Sequence, residues 1–312
     1  GTVSVQKGNN VSVNGEAPLS LTLDGKDHQS CQFLSKRAPD ESHEFTWKEV
    51  TTTRGGELAE ILGDQLRSVD SLVVKGYVND KDFHAMWDAS LYGYLSVINL
   101  KNAVLENNAV PDTAFFHENE QYEGSSHEIF YYIGLRKIIL PEGLEKIGEG
   151  AFYQASALRQ VNFPSTLRYI GDFAFNATKL EMNQLVIPEG VEEINQYAFA
   201  FCRKLKAQVT LPSTIKKIGE WAFYGCPITS INLPEGLESL GSLAFWDCDL
   251  REVSIPSSCH EFNEGWQFGF NRNLEKMHLP EGMTEIPDHF AVDCFRLREV
   301  NFPHTLKGCS IN

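Results

Sequence analysis

From Leu135 onward the apolar positions of this chain return in one fixed order. The segment from Leu135 to Ala155 reads LRKIILPEGLEKIGEGAFYQA. From Leu158 the chain reads LRQVNFPSTLRYIGDFAFNAT, and from Ile228 it reads ITSINLPEGLESLGSLAFWDC. Prolines at 141, 164, 188, 212, 234, 256, 280 and 303 keep the phase, spaced 22 to 24 residues apart. The shared unit is L-x-x-[VI]-x-[FIL]-P-x-x-L-x-x-I-G-x-x-A-F-x-x-C. Self-similarity at such a period predicts a repeat architecture in which each unit is one turn of a solenoid.

Each unit can be read physically. The L-x-x-V-x-F stretch alternates apolar and polar residues, which predicts a short strand with one buried face. The proline that follows has no N–H to give a ladder, so the strand stops there. The chain then turns back through positions such as Leu144, Ile147, Ala151 and Phe152. Gly148, Gly171, Gly219 and Gly241 recur after the isoleucine position, where a tight bend is expected. The predicted fold class is an α/β-type solenoid dominated by short parallel strands. It is a right-handed coil of about ten rungs whose strands form one continuous parallel sheet. At roughly 4.8 Å between strands, the stack is on the order of 45 Å long.

Upstream the pattern loosens. Val69–Val74 (VDSLVV) and Leu95–Leu100 (LSVINL) carry the strand signature of two degenerate rungs, and Val110-Pro111-Asp112 with Phe115 echoes Ile286-Pro287-Asp288 with Phe290. Apolar stripes at Leu58, Ile61, Leu62 and Leu66, and at Phe83, Met86 and Trp87, predict helices over 57–66 and 80–90. Residues 1–50 alternate as short strands (TVSV, VSV, LSLTL, EFTWKEV) with turns at Asn14-Gly15 and Asp24-Gly25. The organisation expected is therefore a small β-rich N-terminal segment (1–50), a helical cap with two degenerate repeats (51–134), and regular repeats over 135–312. The stretch from His117 to Ser126 (HENEQYEGSS) is a polar excursion between rungs.

Charge narrows the partners. The 312 residues carry a formal net charge of -15 and a pI near 5.0. Such a field repels phosphate, and no run of Lys and Arg forms a local exception, so no nucleic-acid partner is expected. No window of eighteen apolar residues exists to span a membrane. The chain begins at Gly1 without a signal peptide, which suggests a mature fragment whose leader, with or without a lipid anchor, has been removed.

Chemistry-bearing residues add little. Cys202, Cys226, Cys248 and Cys294 follow the repeat phase, and Cys259 and Cys309 occupy the positions of Leu144 and Ile147, so all six read as free, buried core thiols. Cys31 has no assignment. No C-x-x-C or H-E-x-x-H spacing supports a metal, and no disulfide is expected. The nine histidines form no ligand pair, and G-x-S-x-G, Walker and dinucleotide-binding motifs are absent. The sequence therefore predicts no cofactor, no metal and no catalysis.

The I-G-x-x-A-F-x-x-C core, with turns such as Leu140–Gly143 and Leu233–Gly236, closely resembles the BspA-type leucine-rich repeat. The lead-in GGELAEILGD followed by LVVKGYVNDKDF resembles the start of such repeat domains in proteins of Gram-negative gut and oral bacteria. The likeness is specific over 135–308 and loose over 55–134. It implies a secreted or surface-anchored protein whose repeats mediate adhesion or other protein contacts, with a host extracellular or surface protein as one such partner.

Two surfaces are candidates for binding. Two residues before each proline stand Ile139, Asn162, Val186, Thr210, Asn232, Ser254, His278 and Asn301, a mostly small and polar column on the sheet face. Arg136, Arg159, Arg251 and Arg298 stand five before a proline, near one edge. Solvation alone also explains such a column. Around the A-F pair, Phe173, Tyr197 and Trp221 precede it, while Tyr153, Tyr224 and Trp246 follow it. Such rows either stack on sugars and partners or half-bury against the next rung. A protein partner on the sheet face is the leading reading, and glycan capture by the aromatic rows is the alternative.

Overall fold

Strands form where the L-x-x-V-x-F alternation runs, and they stack in parallel. The computed structural model describes residues 43–116 and 133–309. The expected strands and turns before residue 43, Cys31 and the polar stretch from His117 lie outside the described residues. The front ladder begins with β1 (Trp47–Thr52), β2 (Ser71–Val78) and β3 (Val97–Leu105). Eight shorter strands follow, at 137–139, 160–161, 184–186, 208–210, 230–232, 252–254, 276–278 and 299–301. Each pairs parallel to its neighbours in the sheet, as in Gln184↔Gln208↔Ser230.

Two expectations need correction. The front ladder is not one continuous sheet: it breaks between strands 160–161 and 184–186, and again between 230–232 and 252–254. The second break is slight, since those strands remain packed together. A second, side ladder also exists, built from two-residue strands at 109–110, 146–147, 169–170, 193–194, 217–218, 239–240 and 261–262. Two residues are too few to show alternation, so the sequence pattern could not reveal them. The strand read from EFTWKEV is β1, which pairs with β2 from Trp47↔Ser71 to Thr52↔Gly76 and so forms the first strand of the solenoid.

The cap follows the two apolar stripes. α1 (Leu58–Leu62) continues as a tighter turn over Gly63–Arg67, and α2 spans Asp80–Tyr92. The buried Asp82 carboxylate joins their starts. It accepts the N–H groups of Gly56 (2.6 Å), Leu58 (2.9 Å) and Asn79 (3.0 Å).

Inside the coil the phenylalanine of each A-F pair stacks on the next. Phe115, Phe152, Phe175, Phe199, Phe223, Phe245 and Phe268 form a fully buried column with ring centroids 5.2 to 5.6 Å apart and interplanar angles of 4 to 12°. At each end the order changes to an edge-on contact, with Phe83 at 88° and Phe290 at 75°.

The turn around this column repeats a strained conformation. Phe173, Tyr197, Trp221, Leu243, Trp266 and His289 all have φ between 54° and 65°, and Ala177, Phe201, Asp247 and Phe270, four residues after four of them, do so again. Left-handed backbone costs a non-glycine residue roughly 1–2 kcal/mol. Main-chain bonds to the next rung offset it: Phe173 N–H donates to Gln196 O (3.0 Å), Phe175 to Ala198 (2.8 Å) and Ala177 to Ala200 (2.8 Å).

The recurrent glycines serve close approach rather than left-handed geometry. Gly148, Gly171, Gly219 and Gly241 have ordinary φ. A Cβ on Gly171 would lie 2.6 Å from Glu149 N of the preceding rung, and one on Gly219 would lie 2.8 Å from Gln196 N.

The rungs also come in pairs. Pro-Glu-Gly turns (141, 188, 234, 280) alternate with turns carrying Ser or Thr two residues after the proline (164, 212, 256, 303). In the pair at 188 and 212, Gly190 N–H donates to Thr214 Oγ1 (2.9 Å) and that hydroxyl donates to Val191 O (2.8 Å). Glu189 accepts from the Ser213 N–H and hydroxyl. Thr166, Ser258 and Thr305 make the same two-bond bridge in the other pairs.

Candidate functional site

The sheet face carries two outward rows. One is the expected column, extended upstream through the paired positions Glu49, Val73 and Asn99. The other runs through Gln160, Gln184, Gln208, Ser230, Glu252, Lys276 and Glu299, and sequence reading missed it. The L-x-x-V-x-F pattern held the signal, since this position lies two residues before the column on the same strand face.

The central sheet stands apart. Gln184, Val186, Gln208, Thr210, Ser230 and Asn232 are all exposed and all uncharged. Each strand has the burial sequence exposed, buried, exposed, so Leu185, Val209 and Ile231 fix these six side chains outward. Among the described residues, none of the six has a side-chain hydrogen bond. The sheets on either side differ. Downstream, Lys276 pairs with Glu299 (3.2 Å) and His278 lies 3.6 Å from Glu252. Ser254 and Asn301 are exposed beside them, and Arg251 is exposed at the edge.

Asn162 is exposed but engaged: its Oδ1 accepts Leu140 N–H (2.7 Å) and its Nδ2 donates to Leu140 O (3.0 Å). Arg159 is paired with Glu181 (2.8 Å). Beside Asn162 the first break in the ladder opens a groove of about 670 Å³, lined among others by Lys101, Lys137, Val161 and Met182.

Along the side ladder, by contrast, several charges pair from rung to rung. Lys146 pairs with Asp112 (3.2 Å), Lys216 with Glu192 (3.1 Å) and Lys217 with Glu193 (2.7 Å). The hydrogen bond from Glu193 raises the Lys217 ammonium above its ordinary pKa.

The aromatic candidates are not on the sheet face. Tyr197, Trp221, Tyr224 and Trp246 lie on the left-handed turns after the side ladder, and all four are half-buried. Tyr197 stacks between Phe173 (4.7 Å) and Trp221 (5.3 Å), and Trp221 touches Tyr224 (4.5 Å). Trp246 belongs to a second group with Trp266 (5.4 Å) and Phe270 (4.5 Å). The two candidate sets therefore form two separate surfaces.

The cysteine column has a main-chain role. Sγ donates to the carbonyl of the phenylalanine one rung back: Cys202 to Phe175 (3.2 Å), Cys226 to Phe199 (2.9 Å), Cys248 to Phe223 (3.3 Å) and Cys294 to Phe268 (3.2 Å). Where this position is Asn271, its Nδ2 reaches Phe245 O (2.7 Å). Burial pushes the Cys226 and Cys248 thiols up, and raises Cys294 to about 11 and Cys259, in its aliphatic position, to about 12. The five cysteines whose side chains are described are free. Among the described residues no group of His, Cys, Asp and Glu converges to hold a metal, and no helix is long and apolar enough to cross a membrane.

Parallel strands stacked at a 22–24-residue period, with leucine and isoleucine filling the coil, define a leucine-rich-repeat solenoid. The chain belongs to the family described as BspA type leucine rich repeat region, whose model matches residues 125–208 and 207–311. It is similar to the solved structure of a leucine-rich repeat protein from Bacteroides ovatus, with 18% identity, 69% of this chain and 75% of that chain covered, and a TM-score of 0.39. It is also similar to a leucine rich cell surface protein from Faecalibacterium prausnitzii, at 16% identity, 81% and 82% coverage and a TM-score of 0.42. The pneumococcal vaccine antigen PcpA is a third such structure, at 17%, 74%, 67% and 0.39. No curated protein matches the chain.

Proposed function

We propose that this chain is a secreted or cell-surface, non-catalytic binding protein that docks a partner protein on the central front sheet. The observation that carries this reading is the neutral patch of Gln184, Val186, Gln208, Thr210, Ser230 and Asn232. Charged residues make up 22% of the chain and none of these six is charged, and depletion of charge marks the centre of protein interfaces. The amides and hydroxyls have no side-chain partner among the described residues to give up, so a partner meets little competition for them. Membership of the BspA-type repeat family supports a secreted or cell-surface location. Extracellular host proteins are the partner class to try first.

The test is capture of a panel of purified host extracellular proteins by the full chain and by Thr210→Arg/Asn232→Arg. Loss of about tenfold or more in affinity, with the thermal melt unchanged, supports the reading. A partner bound equally by both chains sinks it.

Glycan capture remains the second reading, for one specific reason. Phe270, which packs on Trp246, borders a recess of about 300 Å³ whose lining includes Arg203, Asp247, Asp249, Arg272 and Asn273. An aromatic face beside polar groups suits a sugar ring, although Arg203 already pairs with Asp247 (2.9 Å) and Asn273 with Asp249. A glycan array with Phe270→Ala as control separates the two readings.

A further inference from the structure

Two strand edges face each other across the groove in the front face. Strand 160–161 is the last of one sheet and strand 184–186 the first of the next. Each therefore turns a row of N–H and C=O groups toward the gap without a ladder partner. The gap has a covalent cause. Leu180 stands eight residues before its proline and Leu205 seven, whereas Leu135, Leu158, Ile228, Leu250, Leu274 and Leu297 stand six before theirs. The added length keeps the entry bond, Glu181 N–H to Arg159 O at 2.9 Å, and then displaces the strand. Half-buried Val161 and Met182 line the opening, and Gln160 and Gln184 flank it.

The charges in the groove are unequal. Glu142 is held by the Ser165 hydroxyl (2.9 Å), and Glu181 is held by Arg159 (2.8 Å). Lys101 and Lys137 have no ion-pair partner among the described residues. In a strongly acidic chain, this is a local site of positive charge uncompensated among the described residues.

The geometry points to this groove as the docking slot for an extended, acidic peptide segment of the partner protein, bound as an added strand. The inference rests on the front-face reading and narrows it. A strand carries main-chain donors and acceptors along its edge, so it can pair with the open edge of strand 160–161 or of strand 184–186. Alternate side chains would meet Val161 and Met182, and carboxylates would meet Lys101 and Lys137. Neither a compact globular surface nor a sugar supplies such an edge.

The experiment uses the full chain and capped peptides of alternating Glu and Val, read by fluorescence anisotropy. The Glu/Val peptide is expected to bind, its Lys/Val counterpart at least about tenfold more weakly, and raised salt is expected to weaken binding. Methylating alternate main-chain nitrogens of the Glu/Val peptide should also lower affinity at least about tenfold, because it removes the strand pairing but keeps every side chain. Lys101→Glu/Lys137→Glu should reverse the charge preference. If that variant does not fold, the methylated peptide on the unaltered chain decides. No binding of the Glu/Val peptide, equal affinity for both charges, or full affinity after methylation would overturn the proposal. So would self-association of the chain that the peptide fails to displace, since a second copy would then occupy the slot. Failure here with Thr210→Arg/Asn232→Arg still abolishing partner capture leaves the front-face reading standing.

Discussion

The side chain of Asn162 does for Leu140 what main chain does elsewhere in the ladder. Ile187, Ile255 and Leu279 donate their N–H to the carbonyls of Thr210, His278 and Asn301 on the next rung. Leu140 donates instead to Asn162 Oδ1, at 2.7 Å, and receives a second bond from its Nδ2. Asn162→Ala strips both bonds from a buried residue and is expected to cost about 1–3 kcal/mol. Asn232→Ala, in the same outward column, is expected to stay within about 0.5 kcal/mol. Denaturant melts that give equal losses would show that the Asn162 bridge contributes nothing.

The phenylalanine column should be the most sensitive part of the fold. Phe199 stacks between Phe175 and Phe223 at 5.3 Å on each side. Phe199→Ala leaves a cavity in a stack held rigid by its neighbours, at an expected cost of about 3–5 kcal/mol. A melt showing less than about 1 kcal/mol would mean that the rungs collapse freely around the gap.

Much of this architecture was legible in the sequence because it is periodic. The prolines set the rung length, the alternation before them set the front strands, and the A-F pair set the interior column. Three features escaped for separate reasons. The side ladder is built of two-residue strands, too short to alternate. The left-handed turns carry Phe173, Tyr197 and Trp221, residues that do not announce such backbone as glycine or asparagine would. The groove arises from the longer approach of Leu180 to Pro188, hidden within the 22–24 spread of proline spacings. Of the candidate site, Thr210 and Asn232 lie in the neutral patch, while Gln184 and Gln208 in the adjoining row went unread. The expectation for the recurrent glycines named a bend, whereas the physical demand is rung-to-rung contact.

That demand separates two kinds of glycine. A Cβ at Gly171 would press on the main chain of the preceding rung, which cannot yield without shifting the stack. Gly171→Ala is expected to cost about 1–3 kcal/mol, as overpacking does. Gly143 has φ of +94° but nothing within 4 Å of its would-be Cβ, so Gly143→Ala carries only a conformational penalty of about 1–2 kcal/mol. Gly143→Asn should recover part of it, since asparagine tolerates that region better, whereas Gly171→Asn should worsen the clash. Recovery at both sites would contradict the contact argument.

The raised thiol of Cys259 predicts a loss of stability in alkali. In the unfolded chain a thiol ionises near pH 8.5, whereas burial holds Cys259 neutral in the folded state up to about 12. Above about 8.5 the unfolded state alone releases the proton, so the contribution is whole below that pH and declines as pH rises toward 12. Between pH 7 and 10 the loss from this one group should be about 1–2 kcal/mol. Cys259→Val, which restores an aliphatic side chain at this position, should show a smaller loss over the same range. Equal losses in the two chains would mean that the thiol is hydrated in the fold.

The alternation of turns predicts that rungs are tolerated or lost in twos. Deleting residues 188–211 removes one rung and brings the turn at Pro212 directly onto the turn at Pro164. Thr214 would then face a turn with neither the glycine N–H nor the glutamate that it and Ser213 bridge to now. Deleting residues 188–233 removes two rungs but sets Pro234-Glu-Gly after Pro164, the order already present at 164 and 188. Every remaining pair keeps its hydroxyl bridge. Both deletions lose the bridge of this pair, but only the shorter keeps Ser213 and Thr214 against a turn that cannot remake it; at about 0.5–1.5 kcal/mol for each bond not remade, this mismatch is expected to exceed the stacking lost with one more rung. The single-rung deletion is therefore expected to unfold at lower denaturant than the two-rung deletion, although it removes less of the protein. Thr214→Val, which breaks one bridge without moving any rung, should lie between the intact chain and the single deletion. If stability instead falls in simple order of rungs removed, each rung is an independent unit and the pairing of turns has no energetic weight.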